Sequence, residues 1–159
     1  MRVPFCFLGG EAMAEEYESQ RIYVAVKGIV IRDGRALIVR RSGILTPEGR
    51  DWWEFPGGTL QFRESPAQTL VREFYEETGL RVVPKKVLYV CSVQNDPAYQ
   101  VIIITYLCDG EDMSEVRLSD EHTGYMWADS RQMRELLADD IKNAMDANGV
   151  WAIFDNDSL

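Results

Sequence analysis

The sequence predicts an α/β chain of the α+β type, with a mixed β-sheet between helices, and three observations carry that reading. Stretches that read as strands recur at 21–31, 36–39, 82–93, 99–107 and 123–128. A helical pattern with its own start and stop signals sits mid-chain, and others follow after residue 129. The helical patterns are interleaved with the strands, so that helices and sheet bury one another's apolar faces.

Residues 1–20 differ from the rest. The apolar hexapeptide VPFCFL precedes Gly9-Gly10 and the acidic segment EAMAEEYESQ. They are expected to be an N-terminal extension to a domain spanning 21–159. Met13 is a candidate start, and Phe5, Phe7 and Leu8 are candidates for packing on the domain or on a second copy in a homodimer. From Arg21 the alternation of Ile22, Val24 and Val26 with Tyr23 and Ala25 predicts a strand covered on both faces. Asp33-Gly34 fits a tight hairpin turn, and Ala36 to Val39 returns as its partner. Arg40 and Arg41 end that strand on opposite faces, where either one meets a phosphate or both are surface arginines. Residues 42–51 are loop by their Gly, Pro and polar content. Trp52 to Pro56 is a short strand running into Gly57-Gly58, whose backbone freedom suits close approach to a ligand.

The central helix opens at Ser65-Pro66, a capping serine with proline in the first turn, and ends at Gly79. At about 100° per residue, Glu73, Glu76 and Glu77 fall within roughly a 100° arc. Arg72 stands four residues before Glu76, at pairing distance. Ala67, Leu70, Val71 and Phe74 gather on the neighbouring arc, which predicts a buried anchoring side. Three neighbouring carboxylates repel, and a hard divalent cation offsets that, because Mg²⁺ and Mn²⁺ prefer oxygen ligands. The alternative for such a cluster is a solvated face laced with Arg–Glu pairs.

Gly58, Glu64, Arg72, Glu73, Glu76, Glu77, Gly79 and Leu80 stand at the spacing G-x5-E-x7-R-E-U-x-E-E-x-G-U, with U a bulky apolar residue. In this the chain resembles the Nudix hydrolases. Phe74 fills the first U, where an aliphatic residue is more usual. Gln61 and Arg63 depart from the Gly-Gly-x-U-Glu-x-Gly-Glu run of many members. The resemblance implies an α/β/α sandwich and metal-assisted hydrolysis of a phosphoanhydride bond with Mg²⁺, or Mn²⁺. Glu73 and Glu77 are then the expected principal metal ligands, with Glu76 and the Gly58 carbonyl contributing. Glu64 becomes a ligand or water-mediated support, and Arg72 orients a carboxylate. The family's general base varies between a box glutamate and a loop one; Glu121 is the loop candidate here, against a plain surface acid. Candidate substrate contacts are Arg40, Arg41, Arg63 and Trp52, with Phe62, Tyr99 and Tyr125 as further aromatics able to stack.

After this stretch, 109–122 read as an acidic loop, and Asp129 or Ser130 caps a helix over 131–137. A second helix is expected over 140–147, before Asn148-Gly149. The single histidine, His122, excludes a multi-histidine zinc site and reads as structural or surface rather than catalytic. Cys6, Cys91 and Cys108 are widely spaced and contain no CxxC pair, which points to reduced thiols in a cytoplasmic protein. The formal charge of −9 disfavours a nucleic-acid polymer or an anionic membrane as partner. No apolar run reaches the roughly 18 residues a membrane helix needs.

The expected substrate is therefore a small nucleotide: a nucleoside diphosphate linked to another group, first a nucleoside triphosphate. ADP-ribose or a nucleotide sugar is the alternative, for which Pro97 lies one position late of the proline some members carry. A Nudix-fold module that binds a nucleotide without catalysis is the alternative of another class.

Overall fold

The computed structural model describes residues 21–45, 49–112 and 115–154. The expectations placed on residues 1–20, including Met13 and the packing of Phe5, Phe7 and Leu8, lie outside the described residues. Strands β1 (Arg21–Arg32) and β2 (Arg35–Arg41) turn at Asp33 and Gly34, both with positive φ (51° and 69°). They pair only at the turn, through Ile31–Ala36 and Arg32–Arg35, and then part. β1 goes on to pair in parallel with β5 (Tyr99–Asp112), which pairs antiparallel with β4 (Arg81–Asp96). β2 instead takes β3 (Trp52–Glu54) and β6 (His122–Ala128) as antiparallel partners. The sheet order is β3-β2-β1-β5-β4, with β6 also on β2.

The seam where β1 leaves β2 is filled by the glycine turn. Gly28 N–H donates to the Pro56 carbonyl, Val26 N–H to Gly58 and Leu60 N–H to Val24. The segment 56–60 is thus stitched along β1, which fixes its position relative to the sheet.

Helix α1 (Pro66–Thr78) has the expected Ser65 cap, which Gln68 extends into a capping box, with Pro66 in its first turn and Gly79 in the left-handed conformation after it. Arg63 holds the turn into this helix with φ of 75°. Leu70 and Phe74 are fully buried with Val26, Val30, Leu37 and Leu80. A β-carbon at Gly28 would lie 3.1 Å from the Phe74 ring, so the glycine lets the helix press against β1. On the opposite face lie α2 (Ser130–Leu136), α3 (Asp139–Ala147) and a 3₁₀ turn, Val150–Ile153. Met133, Met145 and Trp151 from these elements pack on Ile29, Ile38 and Phe55. The result is the expected α/β/α sandwich around a mixed sheet.

Three local expectations change. Ile22 is 69% exposed and Tyr23 is also exposed, because helical cover begins only at Val26. The unbroken run Ile102-Ile103-Ile104, which reads as buried on both faces of its strand, is half-buried. β5 runs on to Asp112, into the stretch expected as loop, because its pairing with β4 continues to Arg81. Among the described residues, no helix is long and apolar enough to cross a membrane.

Candidate active site

A cleft of about 540 Å³ opens beside the glycine turn, where α1, the N-terminal part of β1, β3 and the 115–121 loop meet. Its walls include Gly57, Gly58, Glu73, Glu77, Glu121, Arg41, Trp52 and Tyr99, each of them singled out from the sequence. Gly57 adopts φ of 130°, and a β-carbon there would collide with the Val26 carbonyl oxygen, so no side chain fits this turn. A β-carbon at Gly58 would run into the Glu73 carboxylate, which lies directly against the bare backbone.

The three carboxylates of the helix do not share one environment. Glu77 is buried (7% exposed) and its Oε2 accepts the Gly57 N–H at 2.8 Å. Burial raises its pKa above the ordinary value, with Lys27, the Gly57 N–H and His122 opposing the rise. Glu73 gives Oε1 to Arg72 Nη1 at 2.7 Å, and Oε2 makes no hydrogen bond. Glu76 is 56% exposed, meets only Arg72 among the described residues, at 3.1 Å, and is not in the cleft wall. The predicted convergence of Glu73, Glu76 and Glu77 on one point is thereby corrected. The arc is right for a helix, but the core claims the Glu77 side of it and solvent the Glu76 side.

Arg72 binds more than the single partner its spacing suggests. It also grips Glu64 through Nε and Nη2, both at 2.9 Å. Those bonds, with one from Thr69, hold the Glu64 carboxyl at about 2. Glu64 is therefore engaged by Arg72 and Thr69 outside the cleft wall. Arg40 bonds Thr123 and pairs with Asp51 at 3.4 Å, and Arg63 lies over the exposed Phe62 ring; neither reaches the cleft wall. Tyr125, the remaining stacking candidate, also lies outside it. Arg41 does line it, pairing with Glu121 at 3.0 Å and approaching Glu54 at 3.6 Å. Cys91 and Cys108 are free thiols, and Cys6 lies outside the described residues.

Two residues of the cleft escaped the sequence reading. Lys27 places Nζ 2.7 Å from Glu54 Oε2 and 2.6 Å from the Gly57 carbonyl. Burial would push the Glu54 carboxyl up, but Lys27, His122 and Arg41 outweigh it and hold the group at about 2. The available signals were a lysine interrupting the apolar run of β1 and a lone glutamate inside W-W-E-F-P-G-G. His122 has no exposed side-chain surface; its Nε2 stands 3.8 Å from Glu54 and 3.7 Å from Glu77, contacts longer than hydrogen bonds. It underlies the cleft as a buried structural residue, with Nδ1 3.3 Å from the Ser119 hydroxyl.

Among the described residues, no three His, Cys, Asp or Glu side chains form a ready metal cage. The donor chemistry nonetheless fits a hard cation. Glu73 Oε2 and Glu77 Oε1 are carboxylate oxygens of cleft-wall residues that make no hydrogen bond among the described residues. The Gly58 carbonyl accepts the Val26 N–H at 2.8 Å, which leaves one lone pair for any further partner.

The NUDIX domain model matches residues 22–147 of this chain, which therefore belongs to the Nudix family of hydrolases. A MutT-like protein of Streptomyces ambofaciens is 34% identical over 131 residues, covering 79% of each chain. An ADP-ribose pyrophosphatase of Methanocaldococcus jannaschii is 32% identical over 106 residues, covering 61% of each. The crystal structure of a MutT protein from Methanosarcina mazei Go1 superposes with a TM-score of 0.72 at 24% identity, over 82% of this chain and 95% of that one. This likeness establishes the shared fold.

Proposed function

We propose that the protein is a Mg²⁺- or Mn²⁺-dependent pyrophosphohydrolase that converts a nucleoside triphosphate to the monophosphate and pyrophosphate. One observation carries the reading: two unbonded carboxylate oxygens, from Glu73 and Glu77, border a cleft floored by a turn that admits no side chain. Glu73 and Glu77 would hold the divalent ion, which when bound neutralises phosphate charge and supplies an activated water.

The chain's own residues have distinct parts in this reading. Arg72 fixes one oxygen of Glu73, and the Gly57 N–H fixes one of Glu77, so each presents its other oxygen in a set direction. Arg41 on the rim faces the phosphates, and it restrains Glu121 through Nη2 at 3.0 Å. Glu121 then accepts a proton from the attacking water on its free oxygen. The water oxygen bonds to phosphorus, the bridging P–O bond breaks, and pyrophosphate departs. Trp52 and Tyr99, both in the wall, offer aromatic faces to a base.

A second reading, ADP-ribose cleavage to AMP and ribose 5-phosphate, is favoured by the activity named for the M. jannaschii relative. Against it, Pro97 is not in the cleft wall; it lines a smaller adjoining cavity with Arg21 and Gln94, which shares only Tyr99 with the cleft. Chromatographic product analysis over nucleoside triphosphates, ADP-ribose and nucleotide sugars, with Mg²⁺ or Mn²⁺, decides between them. Glu77→Gln is expected to lose about 100-fold or more in kcat, whereas Glu76→Gln loses less than about tenfold. Absence of turnover on every substrate, with the fold intact, would instead make this a binding module.

A further inference from the structure

We infer that Lys27 is a built-in cation of the cleft: its ammonium closes Glu54 off from metal and sets how tightly the remaining carboxylates hold a divalent ion. The inference rests on the reading of the cleft as a cation site.

Lys27 projects from β1 with only 12% of its side chain exposed, and it lines both the cleft and an adjoining, largely apolar pocket of about 240 Å³. Its Nζ has three hydrogens; one goes to Glu54 Oε2 at 2.7 Å and one to the Gly57 carbonyl at 2.6 Å. A carboxylate buried like Glu54 must find a countercharge, and in an acidic cleft a metal ion is one way to supply it. Here a covalently attached cation supplies it. It also takes the Gly57 carbonyl, one of the hard oxygens of the turn. Glu54 Oε1 is buried without a hydrogen bond and lies 3.6 Å from Arg41, so Lys27 engages one oxygen directly while a second protein cation faces the other.

Two consequences follow for a divalent ion at Glu73 and Glu77. Glu54 adds no ligand, and a fixed positive charge stands in the same cleft wall, disfavouring the ion while favouring an anionic phosphate. Metal affinity in the absence of substrate is therefore lower than three wall carboxylates would otherwise give.

The test titrates the full-length protein with Mn²⁺ in the absence of nucleotide and follows the electron paramagnetic resonance signal of the free ion. Melting curves accompany each variant. Lys27→Met is expected to bind Mn²⁺ at least about tenfold more tightly than wild type, because Glu54 becomes available and the positive charge is gone. Glu54→Gln leaves the ammonium uncompensated and is expected to bind at least about tenfold more weakly. The double variant, which removes both charges, is expected to return to within about threefold of wild type. That return carries the test even where Lys27→Met alone fails to fold. Unchanged or weaker binding by a folded Lys27→Met overturns the inference, as does a double variant that stays as weak as Glu54→Gln, since Glu54 would then itself be the ligand. If neither wild type nor Lys27→Met binds Mn²⁺, the cation reading of the cleft falls, and this inference with it.

Discussion

Acid should weaken the protein partly through Glu54, and the size of the effect can be worked from its surroundings. Its carboxyl is held at about 2, against an ordinary 4.5, by Lys27, His122 and Arg41 acting against burial. A folded-state value below the unfolded one means the group contributes stability above pH 4.5 and loses it as pH falls towards 2. The full contribution is about 3 kcal/mol at neutral pH, and about 2 kcal/mol of it is lost by pH 3. The side chain is only 19% exposed, so solvent screening removes little of this. Urea unfolding of wild type and Glu54→Gln at pH 7 and pH 3 isolates the term, since Glu64 and the other carboxylates titrate in both proteins. The stability gap between them should shrink by about 2 kcal/mol on going to pH 3. A gap that stays constant would refute the claim that Lys27 and its neighbours hold Glu54 ionised.

The two unusual backbone positions flanking the site give opposite expectations by the same assay. Arg63→Gly should stabilise the protein by about 0.5–1 kcal/mol, because glycine takes φ of 75° without the strain arginine bears. Gly57→Ala should destabilise by about 3 kcal/mol or more, because the new methyl meets the Val26 carbonyl in a conformation L-residues avoid.

Periodicity and capping made the framework readable. The Asp33-Gly34 turn, the Ser65-Pro66 start and the Gly79 stop are local events, decided by neighbours in sequence, and all three occur where their residue types demand. The two carboxylates proposed to hold a metal were readable to the helix but not to the atom. A helical wheel assigns Glu73, Glu76 and Glu77 one arc, yet only the packing of α1 on β1 decides that Glu77 faces inward and Glu76 outward. Lys27 and Glu54 were harder still. They are 27 positions apart, and their pairing exists only because β1 and β3 flank the seam filled by residues 56–60. Ile22 shows the same limit from the other side: apolar alternation announces a strand, but not how far along it the helices reach.

Local charge balance lets so acidic a chain serve a phosphate substrate. The net charge is −9, and a bare cluster of glutamates would repel a polyanion. The structure divides that charge before any ligand arrives. Arg72 engages Glu64, Glu73 and Glu76; Lys27 engages Glu54; and Arg41 engages Glu121. Among the described residues, one oxygen each of Glu73, Glu77 and Glu121 stays unengaged at the cleft wall, and Glu54 Oε1 lies buried 3.6 Å from Arg41; in the proposed function one divalent ion takes the Glu73 and Glu77 oxygens. The arginine and lysine pairs therefore restrict the cation-binding capacity of the site rather than abolish it. The same pairs keep the rim cations Arg41 and Lys27 in the wall where the phosphates are expected to lie.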